Sequence, residues 1–155
     1  MNENQYSASH GLLPPAFVLI AGLLMTGLHL VVPWVQLLAM PWRLLGVVPV
    51  AVGILLNIWA DQLFKRARTA VKPFEPSTAL VLVGPFHFSR NPMYLGMVLA
   101  LVGIAIVLGS ATPWLVVPLF VWLVTERFII REERKLEATF GQQYYDYKVK
   151  VRRWV

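Results

Sequence analysis

From Asn91 to Thr125 the chain reads NPMYLGMVLALVGIAIVLGSATPWLVVPLFVWLVT, without one Asp, Glu, Lys or Arg. A bilayer core takes about 20 apolar residues of helix, so this run is long enough to cross, turn and cross again. The turn is visible within it, because Gly109-Ser110-Ala111-Thr112-Pro113 gathers residues that end or redirect helices. Two spans follow, about 91–108 and 113–130. Upstream, Gly11–Trp42 is equally free of charge. Pro33, Pro41 and Arg43 separate a span of about 12–32 from one of about 44–60. Pro14 and Pro15 suit a first helical turn, where a missing N–H costs nothing. Pro49, inside the second span, predicts a kink or local break.

Composition points the same way. The 155 residues are 57% hydrophobic and 14% charged, against about 25% charged in an ordinary soluble domain. Too few charges remain to wet a soluble surface. No repeat, low-complexity tract or linker divides the chain, so residues 1–155 read as one integral membrane domain. The fold class is all-α and polytopic, with four transmembrane helices, the last extending into a cytosolic helical tail at 131–155. A cleaved leader is not expected, since the first dozen residues carry no Lys or Arg. The lack of cysteine excludes disulfides, thiolate metal sites and cysteine nucleophiles. His10 and His29 stand too far apart to suggest a metal site.

Charge sets the orientation. The loop at 61–90 holds Lys65, Arg66, Arg68, Lys72 and Arg90, and the tail holds Arg127, Arg131, Arg134, Lys135, Lys148, Lys150, Arg152 and Arg153. Only Arg43 lies on the other side. By the positive-inside rule the loop, the tail and both termini face the cytoplasm. Trp34, Trp42 and Trp114 then mark the outer interface and Trp59 the inner one. The same rule accounts for the net charge of +6, and nucleic acid is not an expected partner.

Chemistry must therefore lie in the loop, the tail and the adjoining helix ends. Arg131-Glu132-Glu133-Arg134-Lys135-Leu136 continues the fourth span, and the helix is expected to run to about Phe140 and stop at Gly141. On a 3.6-residue period Ile129, Glu133, Leu136 and Phe140 share one stripe, and Phe128, Glu132 and Leu136 share its neighbour. At least one of two adjacent carboxylates then faces an apolar surface. That is costly near a membrane unless the carboxylate meets a cation, which a cationic ligand can supply. The plainer reading is ion pairing along the helix with Arg127, Arg131, Arg134 and Lys135. In the loop, Asn91-Pro92 reads as a cap and first-turn proline, whose free N–H groups with Arg90 favour an anion such as a carboxylate.

The set GPFHFSRNPMYLG (84–96), a helical hairpin, then EERKLEATFGQQYYDYKVKVRRW resembles the isoprenylcysteine carboxyl methyltransferase and phospholipid methyltransferase superfamily. Its pattern is Arg-(His/Asn)-Pro-x-Tyr-x-Gly, a hairpin, then Glu-Glu-x-x-Leu, Phe-Gly and two tyrosines, over roughly residues 70–155. The resemblance implies a helical membrane enzyme that uses S-adenosylmethionine at the cytosolic face and methylates a lipid or prenylated small molecule drawn from the bilayer. Carried over by motif position, cofactor contacts fall on Thr78, Ala79, Leu80, Val81, Phe86, Asn91, Pro92, Met93, Tyr94 and Glu132, with Arg90 beside them. Asn91 stands where the prenylcysteine branch has His, and Phe86 where it often has Tyr. That branch's carboxylate-binding Arg aligns near Phe128, between Arg127 and Arg131. These two arginines are the candidates for a carboxylate acceptor, and Glu133 is the candidate proton acceptor for an amine. Isoprenylcysteine-type O-methylation is favoured over phospholipid N-methylation. The other classes weighed are a non-catalytic lipid-binding membrane protein and a membrane reductase.

Overall fold

The computed structural model describes residues 13–68 and 78–155. Among the described residues six α-helices follow in order: α1 (Pro14–Val31), α2 (Val47–Arg66), α3 (Pro92–Leu108), α4 (Val116–Val124), α5 (Ile130–Phe140) and α6 (Gln142–Lys150). No named strand occurs among the described residues. Short 3-10 turns precede α2 and α4, and a π-turn at Thr125–Ile129 joins α4 to α5. Among the described residues three continuous helices are long and apolar enough to cross a membrane: Pro14–Val31, Trp42–Arg66 and Thr112–Phe140. The fourth expected span, α3, is apolar but has only 17 residues, about 25 Å at 1.5 Å per residue. Leu23 and Val31 are 74% and 80% exposed, an arrangement that suits lipid and not water.

Most of the expected boundaries recur within a few residues. Helix α5 ends at Phe140, and Gly141 takes a positive φ of 51°. Pro49 is a correction, because it does not interrupt a span. It is the third residue of α2, just after the 3-10 turn Trp42–Gly46 gives way to α-helix. The carbonyl that a Pro49 N–H would have met belongs to Leu45, within that tighter turn, so the change of helix type absorbs the missing donor.

Small residues set how closely the helices meet. Helices α2 and α3 form the most extensive pair, running antiparallel with Gly46 opposite Gly103 and Gly53 opposite Gly96. A Cβ on Gly96 would lie 2.6 Å from the Gly53 carbonyl oxygen, and one on Gly53 would overlap the Gly96 carbonyl. Only glycine lets the backbones approach this far, which is how helices associate where lipid removes the hydrophobic drive. Gly53→Leu should therefore lower stability by about 2 kcal/mol or more through overpacking. Gly27→Leu, whose Cβ would meet nothing within 4 Å, should be nearly neutral. Thermal unfolding in detergent separates the two, and equal shifts would exclude the seam as the cause.

Helices α1, α3 and α4 enclose the main core around Met25, Leu101, Ala105, Phe120 and Val124. At the end away from the basic tail, Leu37 and Leu38 donate N–H bonds to the Gly109 carbonyl, and Arg43 Nε donates to the Leu38 carbonyl at 2.9 Å. His29 meets the Ser110 hydroxyl at 2.7 Å, tying α1 to the turn between α3 and α4. That end is closed by backbone bonds. The opposite end carries the charged side chains.

Candidate active site

Three segments converge there: the loop Ser89-Arg90-Asn91 leading into α3, the helix α5, and the last residues of the chain. Tyr94 lies on α3 one turn beyond Arg90, buried at 6% exposure. Its hydroxyl donates to Glu132 Oε1 at 2.8 Å. Phe128 stacks on the Tyr94 ring with centroids 6.3 Å apart, and Phe17 of α1 meets Phe128 edge-on at 5.4 Å. Glu132 is thus a half-buried carboxylate at the rim of an aromatic cluster.

Glu133 has a different set of partners. Arg153 forks onto it, Nε donating to Oε1 at 3.0 Å and Nη2 to Oε2 at 2.8 Å. Arg90 Nη2 lies 3.3 Å from Oε1. The Glu133 and Arg90 side chains are only 7% and 8% exposed. Among the described residues, Arg90 Nε and Nη1 are buried with no hydrogen-bond partner. Buried donors are rarely left unmet, and Nε and Nη1, on different edges of the guanidinium, each offer a single charged N–H that suits an anion such as a carboxylate. The site therefore has an anionic pole at Glu132, on α5, and a cationic pole at Arg90, in the loop before α3.

A π-turn lets two adjacent glutamates serve both poles. Along α4 the buried positions Val116, Phe120 and Val124 recur every four residues, then step by five to Ile129 and by four again to Glu133. The π-turn inserts that extra residue, so Phe128 and Ile129 both face inward, followed by Glu132 and Glu133. Thr125 donates its hydroxyl to the Val121 carbonyl at 2.6 Å within the same turn, a competition with the helix ladder that favours such distortion.

The chain end ties these parts together. Arg90 N–H donates to the Arg152 carbonyl at 3.0 Å, and Asn91 Nδ2 donates to the Arg153 carbonyl at 3.0 Å. Asn91 therefore departs from expectation. It flanks α3 at the capping position but makes no side-chain cap, because its amide is committed to the C-terminal segment. The Ser89 hydroxyl accepts the Asn91 N–H at 3.1 Å. From α6, the Tyr147 hydroxyl donates to the Phe86 carbonyl at 2.8 Å. Burial, then the Glu133 charge, push the Tyr144 hydroxyl up to about 12, with Arg90 pulling the other way. Tyr147 is also raised, again chiefly by burial. Both tyrosines thus stay neutral at physiological pH.

The remaining sequence candidates are spread around this centre. Phe86 is buried with Ala60 and Val81, and Met93 packs beside them. Pro92 is buried in the first turn of α3. Leu80 packs against Tyr144 and Tyr147. Ala79 is half-buried, and Thr78 is exposed with its hydroxyl 3.2 Å from the Arg68 carbonyl. Lys72 lies outside the described residues. Arg127 and Arg131 are exposed, one turn apart, with no ion pair among the described residues. An apolar groove of about 610 Å³ runs along the outer side of α2 and α3, lined by Leu55, Trp59, Phe88 and Leu95 among others. The two tail tyrosines belong to the quoted motif but received no role from sequence, and Arg153 and Ser89 were not legible as site residues, since Arg153 reads as one more base of a cytoplasmic tail.

Comparison with known proteins bears on this geometry. The model of the phospholipid methyltransferase family matches residues 41–143, two thirds of the chain. An uncharacterized protein of Haemophilus influenzae is 43% identical over 63 residues, which is all of that protein and 41% of this chain. No solved structure matches.

Proposed function

Because the chain belongs to the phospholipid methyltransferase family, we propose that it transfers a methyl group from S-adenosylmethionine to a lipid-like acceptor at the cytoplasmic face of a membrane. The observation that carries this reading is the pair of opposite poles, Glu132 beside Tyr94 and Arg90 with two buried unmet N–H groups. S-adenosylmethionine supplies an electrophilic methyl on a sulfonium and ends in an α-ammonium and a carboxylate. Glu132 suits its cationic groups and Arg90 its carboxylate, while Tyr94 and Phe128 offer aromatic faces to a cation. The residues present fit the cofactor. Phe86, Met93 and residues 78–81 border the site on the loop side.

Methyl transfer is an in-line displacement, so the protein's contribution is to hold donor and acceptor aligned. The apolar groove along α2 and α3 gives a lipid tail a surface to lie on. Helix α3 runs beside α2 from the Gly46–Gly103 contact to the Gly53–Gly96 contact, and this supports its being a fourth crossing despite its length. The clustering of bases supports a cytoplasmic site, with both termini on that side. Residues 1–155 then act as one domain.

The acceptor we favour is a carboxylate of the isoprenylcysteine type. Arg127 and Arg131 are exposed beside the site and uncommitted, and guanidinium binds carboxylate in a fork. Amine methylation of a phospholipid is the second reading, favoured by the family description and by a carboxylate among aromatic rings. Arg131→Ala should slow transfer to a prenylated cysteine analogue about tenfold or more, the loss of a charged hydrogen bond, with donor binding unchanged. Phosphatidylethanolamine assayed in parallel decides the matter. Methylation of that amine alone, insensitive to Arg131→Ala, would overturn the carboxylate reading.

A further inference from the structure

Glu133 has two arginines, and they do not share it equally. Arg153 occupies both carboxylate oxygens at 3.0 and 2.8 Å. Arg90 touches one oxygen through one nitrogen at 3.3 Å and keeps Nε and Nη1 buried and unpartnered. A guanidinium this close to an open carboxylate would be expected to close a two-bond fork on it. We infer that Arg153 is a positioning residue, which saturates Glu133 so that Arg90 is not drawn fully onto it and keeps a charged N–H donor for the carboxylate of the methyl donor. The inference rests on the methyl-donor reading above and assigns a task to the chain end.

The placement of Arg153 comes from the segment that carries it. Its carbonyl accepts from Asn91 Nδ2 at 3.0 Å, and the preceding carbonyl accepts the Arg90 N–H. Val151 is buried with Tyr144 and Tyr147 on one side, and Trp154 packs against the core containing Tyr94 and Phe128 on the other. The segment that delivers Arg153 to Glu133 is thus bonded to Arg90's own backbone. Both cations are set from one short piece of chain, at fixed spacing.

The test is calorimetry on the full chain in detergent with S-adenosylmethionine and with its decarboxylated form, which keeps the sulfonium and ammonium and lacks only the carboxylate. Arg153→Met should weaken S-adenosylmethionine about tenfold or more, the scale of a charged hydrogen bond, and change the decarboxylated ligand by less than about twofold. The double variant Glu133→Gln with Arg153→Met should regain most of the lost affinity, because a neutral amide no longer draws Arg90 away. Equal weakening of both ligands, unchanged affinity for S-adenosylmethionine, or no recovery in a double variant that thermal unfolding shows to be folded would each overturn the inference. So would a wild type that binds the two ligands equally, an outcome that leaves the methyl-donor reading intact. A wild type that binds neither ligand overturns that reading as well.

Discussion

Glu133→Ala is expected to cost about 3–5 kcal/mol of stability, the range for removing one partner of a buried ion pair. The loss comes less from the bonds broken than from what stays behind. Arg90, at 8% side-chain exposure, and the fork of Arg153 would face an apolar methyl with no counter-charge. Thermal unfolding in detergent reads the effect, with Glu137→Ala as the comparison. Glu137 pairs with Lys148 where both side chains are about 40% exposed, and an exposed pair contributes about 0–1 kcal/mol. Similar shifts for the two variants would mean that the Arg90–Glu133–Arg153 cluster is solvated, contrary to the structure.

Glu132→Gln should act on binding instead. It keeps the side chain's shape and an oxygen to accept from Tyr94, so the fold is expected to survive with little change in melting temperature. The charge is lost, and affinity for S-adenosylmethionine should fall by about 1.5–3 kcal/mol, roughly ten- to a hundredfold. S-adenosylhomocysteine, which keeps the ammonium and lacks the sulfonium charge, shows which cation Glu132 serves. A loss shared by both ligands places the carboxylate on the ammonium, and a loss confined to S-adenosylmethionine places it on the sulfonium. Unchanged affinity for both ligands in folded protein would remove Glu132 from the site. The two variants together separate the adjacent glutamates, one chiefly a stability residue and one chiefly a binding residue.

This division of labour was half visible in the sequence. Periodicity put Glu132 and Glu133 on neighbouring stripes of a helix ending at Phe140, and α5 ends there. An ideal helix turns one such stripe inward and leaves the other at its edge. The π-turn at Thr125–Ile129 adds one residue and brings both inward. In TERFI only Thr125 hints at a distortion, through its bond to the Val121 carbonyl, and a threonine in a helix is too common to mark a π-turn. Phe128, packed on Phe17 of α1 and Tyr94 of α3, is placed by tertiary contacts. Asn91 gives the same lesson. Asn-Pro before a span is a sound cap signal, yet the side chain finds a better partner in the Arg153 carbonyl, 62 residues away. Local propensity lost to a long-range bond that only the folded chain makes available.

What the sequence determined alone is the class of molecule and the position of its helices. Uncharged runs of span length, a Gly-Ser-Ala-Thr-Pro turn and a lopsided distribution of bases are properties of composition and order, and the cost of burying charge in hydrocarbon acts on them wherever the chain lies. The motif residues around Arg90, Tyr94 and the two glutamates were legible for the same reason, since their types and spacing lie along the chain. The tertiary structure alone decided who pairs with whom: Tyr94 with Glu132, Arg153 with Glu133, and Arg90 left with two open donors. Ion pairs and hydrogen bonds act over about 3 Å in space and are indifferent to separation in sequence. A terminal arginine therefore carries no sign of its partner until the chain end folds back onto the loop.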